Sequence, residues 1–180
     1  RDSHAAAYYD WGTEKETQWK ENYRLWMAFV NEYKNRGGRV TAGADSGYMY
    51  NLYGFGYIQE LELLREAGFH PMEVIQSATL NAAEAIGMDG QIGTIEVGKL
   101  ADMILMDQNP LKNLKYLYGT GDIKLNDANE VVRVGGVNYT IKDGIIYDAR
   151  QLLEDVKKIV DEEKESTPNW ESLMIQSIDR

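Results

Sequence analysis

Cysteine is absent from the 180 residues, which excludes disulfides and thiolate-held metal centres. Histidine is nearly absent too: only His4 and His70 occur. They lie too far apart to form the H-x-H or H-x-x-x-H pairs that grip a metal, and adding Asp45 still leaves a zinc site incomplete. Positive charge is scarce, with 19 Lys plus Arg against 29 Asp plus Glu and a formal net charge of −10. That balance argues against nucleic acid, whose phosphates demand clustered Lys and Arg, and against an anionic membrane surface. No apolar run approaches the ~20 residues of a membrane-spanning helix. No P-loop or Ser-His-Asp order is present, and Gly54-Phe55-Gly56 lacks the preceding strand and third glycine of a dinucleotide fingerprint. What is present, 43% apolar and 27% charged residues, suits one ordinary globular domain or one and a half. These features leave the compartment open.

Residues 1–36 read as mostly helical, with Trp19, Tyr23, Trp26, Met27 and Val30 recurring at three- and four-residue steps on one face. Asn35-Arg36-Gly37-Gly38 is a glycine stop. Arg39-Val40-Thr41-Ala42 predicts a short strand that breaks off at Gly43-Ala44-Asp45-Ser46-Gly47. A helix, a strand and a Gly-bounded Asp make one step of an α/β protein. An aromatic, glycine-interrupted loop runs from Tyr48 to Tyr57. Helix resumes at Ile58, with Leu61, Leu64 and Ala67 on one side, and stops at Gly68. His70-Pro71 opens another helix, with Pro at its first position, carrying Val74, Ile75 and Ala78. Thr79 or Asn81 is placed to cap a short helix over 82–86, which Gly87 ends.

Beyond Gly90 the pattern changes to strands over 94–97, 101–106, 131–134, 138–141 and 145–147, with Lys142-Asp143-Gly144 as a hairpin turn. Gln151 to Lys164 is an amphipathic helix with Leu152, Val156, Ile159 and Val160 on its apolar face. The expected division is therefore 1–90, 91–150 and 151–180.

Asp45 is the first chemical candidate. Carboxylates at the C-terminal ends of barrel strands face the active site, whereas an Asp in an ordinary turn bonds to local backbone N–H groups. His70, next to Pro71, reads as a helix-start residue, and His4 is no better placed to ligate. The tyrosines of the 48–57 loop line a pocket or pack in a core, and both readings stay open. The run Asp161, Glu162, Glu163 and Glu165 is a solvated face.

One ordered stretch goes beyond composition. It runs through His70-Pro71-Met72-Glu73-Val74-Ile75, then Thr79-Leu80-Asn81-Ala82-Ala83, then Ile92-Gly93-Thr94-Ile95-Glu96-Val97-Gly98-Lys99-Leu100-Ala101-Asp102, then Asn109-Pro110-Leu111. With Gly43-Ala44-Asp45-Ser46-Gly47 upstream and Val134 and Gly144 downstream, the chain over about 37–150 resembles the C-terminal part of the metal-dependent amidohydrolase superfamily, its imidazolonepropionase- and prolidase-like members in particular.

The resemblance implies an α/β fold. Its parts are the last strand and helices of a (β/α)8 TIM-type barrel over 1–90, the C-terminal half of a small β-sandwich over 91–150, and C-terminal helices over 151–180. It implies hydrolysis of a carbon–nitrogen bond, in a non-peptide amide, a cyclic amide or a dipeptide, by a metal-activated water. The divalent metal, zinc, belongs to the full-length enzyme, and none is expected in the isolated fragment. By position Asp45 takes the roles of metal contact and general acid/base, while Ser46 and Tyr48 touch the substrate. The family's histidines have no counterpart here, and a whole barrel needs ~250 residues. A C-terminal fragment, inactive alone, is therefore expected. The alternatives are a non-catalytic association module and one subunit of a two-chain enzyme. An orphan βα unit would bare an apolar edge, so a homo-oligomer is expected, with a small amide or dipeptide as substrate and neither nucleic acid nor membrane as partner.

Overall fold

The computed structural model describes residues 11–47 and 51–166. Contacts divide the chain at 25/26 and 150/151, giving a central unit over 26–150 and a second made of the terminal segments.

Among the described residues, four helices come first: α1 (Thr13–Asn35), α2 (Gly56–Glu66), α3 (Pro71–Ala78) and α4 (Leu80–Ala85). Three of them stop where glycine predicts. After α2, Gly68 takes φ +102°. Its N–H donates to the Arg65 carbonyl at 3.1 Å, and the Phe69 N–H donates to the Leu64 carbonyl at 3.2 Å. This pair of bonds satisfies orphan carbonyls of the last turn, and the positive φ is the reason glycine stands there. The same two-bond ending closes α1 at Gly37-Gly38 and α4 at Gly87-Met88.

The turn at Gly68 delivers Phe69 to the centre of the core, where it is 1% exposed. Around it lie Ile58, Leu61 and Leu64 of α2, Val74 of α3, and Leu114 and Leu117 of a 3-10 turn (Leu114–Leu117). Met27 and Val30 bring α1 onto this cluster, whereas Trp19, Tyr23 and Trp26, expected on the same face, are exposed. The helical period was right, and Met27 and Val30 are the members of the stripe that pack on this cluster.

The strands are β1 (Met103–Leu105), β2 (Asp122–Leu125), β3 (Val131–Val134), β4 (Tyr139–Lys142) and β5 (Ile145–Asp148). They form a three-stranded sheet in the order β1-β4-β5 and a two-stranded sheet β2-β3, with every pair antiparallel. Asp143 (φ +50°) and Gly144 (φ +79°) make the predicted two-residue turn between β4 and β5.

The TIM-type barrel expected from sequence is therefore corrected. Both sheets are small and open, and no closed parallel sheet exists among the described residues. Arg39–Ala42, expected as its last strand, joins no ladder. A barrel strand is completed by parallel neighbours on both sides, and here helices take that place. The Ala42 N–H donates to the Ser77 carbonyl at 3.2 Å, and the Asn81 side-chain amide donates to the Val40 carbonyl at 2.9 Å. The strand expected over 94–97 is likewise a turn.

That turn explains the Gly93-to-Asp102 pattern. The Lys99 ammonium, with its side chain 13% exposed, donates to the Asp89 carbonyl at 2.6 Å and to Thr94 Oγ1 at 2.5 Å. Gly93 turns at φ +92° so close to α4 that a Cβ would sit 2.6 Å from the Ala83 methyl. Asp102 accepts from the Lys142 ammonium at 2.6 Å and from the Asp143 N–H at 2.7 Å, tying the entry of β1 to the hairpin.

These donors hold the Asp102 carboxyl below its ordinary value of 3.8, the Lys142 bond being the larger cause. A depressed folded pKa contributes stability that is complete above the ordinary carboxylate range and lost as pH falls through the folded value. Asp102→Asn is therefore expected to flatten the acid limb of the stability curve below about pH 4. Denaturant unfolding over a pH series checks this, and an unchanged acid limb would contradict it.

Trp11 and Trp19 stack with ring centroids 6.0 Å apart. α5 (Ala149–Ser166) has the amphipathic pattern expected, yet none of its residues is buried. No helix among the described residues is long and apolar enough to cross a membrane.

Candidate active site

The segment 39–47 is extended up to Ala44 and turns at Asp45, and groups distant in sequence hold it. Asn81 of α4 and Ser77 of α3 bind Val40 and Ala42 as described. The Gly43 N–H faces the carboxylate of Glu60 on α2 and favours its charged form. The Asn51 side-chain amide donates to the Ala44 carbonyl, and the Gly47 N–H donates to the Asn51 carbonyl at 2.6 Å. Every residue from 42 to 44, and Gly47 beyond, is thus pinned, and Asp45 is presented between pinned neighbours.

Asp45 itself is exposed and takes φ +46°, in the left-handed region that non-glycine residues seldom enter. Asp and Asn tolerate it better than most. Ser46 is half-buried and its hydroxyl points to Asn51 Oδ1 at 3.5 Å, so it is engaged within the turn. Tyr48 lies outside the described residues.

Two further ionisable groups border the turn. Burial raises the Glu60 carboxyl above its ordinary value, outweighing the opposing bond from Gly43. Burial also raises the Tyr57 phenol, and the nearby Glu60 charge adds to the rise. The Tyr57 hydroxyl donates to the Ala78 carbonyl at 3.2 Å, at the C-terminal end of α3.

Sequence reasoning named Asp45 and Ser46 but missed Asn51 and Glu60. No sequence pattern marks either: Glu60 acts across a distance in sequence, and the bonds of Asn51 to Ala44 and Gly47 follow no standard turn signature. Asn81 was noticed, but as a helix cap. Its side chain instead reaches 41 positions back to Val40, and α4 has no side-chain cap at its N-terminus.

The metal expected by resemblance was tested against the donors present. Among the described residues, no group of three or more His, Cys, Asp or Glu side chains could hold a metal ion. His70 sits at the start of α3, where its N–H donates to Glu73 at 2.7 Å, and His4 lies outside the described residues. The zinc expectation is thereby corrected for this part of the protein. One exposed carboxylate on a turn is not a chelating set, so these residues support no metal-borne step.

A cavity of about 820 Å³ lies between α2, α3, β1 and β4 and is lined chiefly by apolar side chains such as Met72, Ile75, Met103, Ile104 and Leu111. Its charged members, Asp102 and Lys142, bond to each other. It offers apolar surface and no convergent reactive groups.

A sequence model described as "Amidohydrolase family" matches residues 26–146. The imidazolonepropionase of Symbiobacterium thermophilum is 43% identical over 54 residues, which are 30% of this chain and 13% of the relative. The 5'-deoxyadenosine deaminase of Methanobrevibacter smithii is 29% identical over 121 residues, 61% of this chain and 26% of the relative. A solved Xaa-Pro dipeptidase with bound methionine in its active site superposes with a TM-score of 0.51 at 26% identity, over 68% of this chain and 25% of that one. The chain spans between 13% and 26% of the lengths of these relatives.

Proposed function

This chain belongs to the amidohydrolase family, and we propose that it acts as the C-terminal portion of a hydrolase that cuts carbon–nitrogen bonds in small amides, cyclic amides or dipeptides. The family is one of metal-dependent hydrolases. The observation that carries the reading is Asp45: an exposed carboxylate in a left-handed turn whose flanking backbone is tied to three helices and to Asn51. Names among its relatives, an imidazolonepropionase and an Xaa-Pro dipeptidase, support a small nitrogen-containing substrate.

In this reading Asp45 carries the proton. As the water oxygen bonds to the amide carbon, one water proton passes to an Asp45 carboxylate oxygen. As the carbon–nitrogen bond breaks, the same proton passes to the leaving nitrogen, and the carboxylate is regenerated. The second water proton stays with the acid product.

The test is hydrolysis by the complete enzyme, its length verified by intact mass, of an N-acyl amino acid, a cyclic amide and an Xaa-Pro dipeptide. Release of amine from at least one is expected. Failure on all three classes overturns the reading.

A second reading, a non-catalytic association module, is favoured by α5, where Leu152, Val156 and Ile159 are exposed on one face. An intact enzyme that hydrolyses no amide, yet loses self-association on Ile159→Glu in sedimentation, would favour it over the first.

A further inference from the structure

We infer that Asn51 is a positioning residue for Asp45, clamping the turn from both sides. This rests on the reading of Asp45 as the proton carrier. Three observations carry it. The Asn51 side chain donates to the carbonyl of Ala44, the residue before Asp45. Its own backbone carbonyl accepts from the Gly47 N–H at 2.6 Å, two residues after Asp45. The Asn51 side chain also lies against α2 so closely that a Cβ on Gly56 would meet Oδ1 at 1.6 Å. One residue thus joins the approach to Asp45, the exit from it and the N-terminus of α2. Gly56 is the space that lets the Asn51 side chain lie there.

The clamp has a physical reason. A non-glycine residue at positive φ sits in a sparsely populated conformation that persists only when its surroundings impose it. Of the surroundings, Glu60 at Gly43 and Asn81 at Val40 act before the turn. Asn51 alone of these also bonds beyond it. Removal of its amide leaves the Ala44 carbonyl without that donor and lets Asp45 relax toward negative φ. A displacement of about 1 Å at a reacting group costs roughly a hundredfold in rate.

The experiment uses the complete enzyme with Asn51→Ala and Asn51→Asp, the latter keeping shape but replacing the donating amide with an acceptor. Two readouts are taken. Steady-state kinetics are expected to show kcat down by roughly a hundredfold, with KM within about threefold, because substrate contacts are untouched. Amide hydrogen exchange by mass spectrometry is expected to rise at least tenfold over 43–47, while α2 and α3 keep their protection, which separates a loosened turn from an unfolded protein. Unchanged kcat in both variants, with an active wild type, overturns the inference. A general loss of protection, or of KM together with kcat, assigns Asn51 a merely structural role and also overturns it. If the wild type hydrolyses no amide, the functional reading falls by itself. Exchange over 43–47 then decides the clamp, unchanged rates in Asn51→Ala overturning it and a local rise supporting it.

Discussion

Asp45→Asn in the complete enzyme is expected to lower kcat for amide hydrolysis by roughly a thousandfold while leaving the fold intact. General acid–base catalysis by a positioned side chain contributes roughly 10²- to 10⁴-fold, and the amide of Asn can neither accept the water proton nor return it. The substitution is close to isosteric, and Asn is the other residue that tolerates left-handed φ, so the turn at +46° survives it. Asp45→Ala loses the same chemistry but also strains the turn. The comparison that isolates chemistry is therefore Asp45→Asn against wild type, with equal thermal midpoints as the control. A fall in kcat of less than about tenfold would move the proton-carrying role elsewhere.

Phe69→Ala is expected to be the most damaging single change to stability, costing about 3–5 kcal/mol. Phe69 is 1% exposed and stands where α2, α3 and the 3-10 turn converge. Its ring also carries the Lys34 ammonium 4.8 Å from the centroid, a contact worth about 0.5–1 kcal/mol at a partly exposed site. Lys34 in turn bonds Glu73 at 2.6 Å, so the loss also loosens the tie between α1 and α3. Domains are commonly stable by only about 5–15 kcal/mol, so the variant is expected to unfold at much lower urea concentration. Phe69→Leu, which refills most of the volume, is expected to recover more than half of the loss. A change of less than about 1 kcal/mol for Phe69→Ala would show that this cluster is not the centre of the core.

The parts of the fold that were legible are those written in short-range chemistry. Gly37, Gly68 and Gly87 announced helix ends because a C-terminal turn needs positive φ immediately after it. Asp143-Gly144 announced a hairpin for the same kind of reason. Leu61, Leu64 and Val74 could be placed in the core from the helical period. The Gly93-to-Asp102 pattern carries much of the family resemblance, and in the structure Lys99 bonds Asp89, Gly93 allows the close approach to Ala83, and Asp102 bonds Asp143, 41 positions away.

The errors have one source. Arg39–Ala42 has the composition of a strand, but a strand exists only through its partners. Those partners are here the Ser77 carbonyl and the Asn81 side chain. Asp122–Leu125 alternates polar and apolar residues as a strand should, but four residues are too few for the alternation to stand out, and only pairing with Val131–Val134 defines them. Asn51 and Glu60 are ordinary polar residues in sequence. Glu60 meets Gly43 only once α2 has packed beneath the turn, and Asn51 reaches back to Ala44 and Gly47 in a pattern that no turn rule specifies.

The sequence by itself determined where this chain bends and which family it belongs to, because turns, caps and helical stripes depend on residues within a few positions of one another. The tertiary structure alone decided that 39–44 is braced by helices, that the sheets are open and that Asn51 brackets Asp45. The bracing of 39–44 depends on hydrogen bonds to groups on α3 and α4, tens of positions away, and the openness of the sheets depends on which strands find partners, and no local rule encodes either.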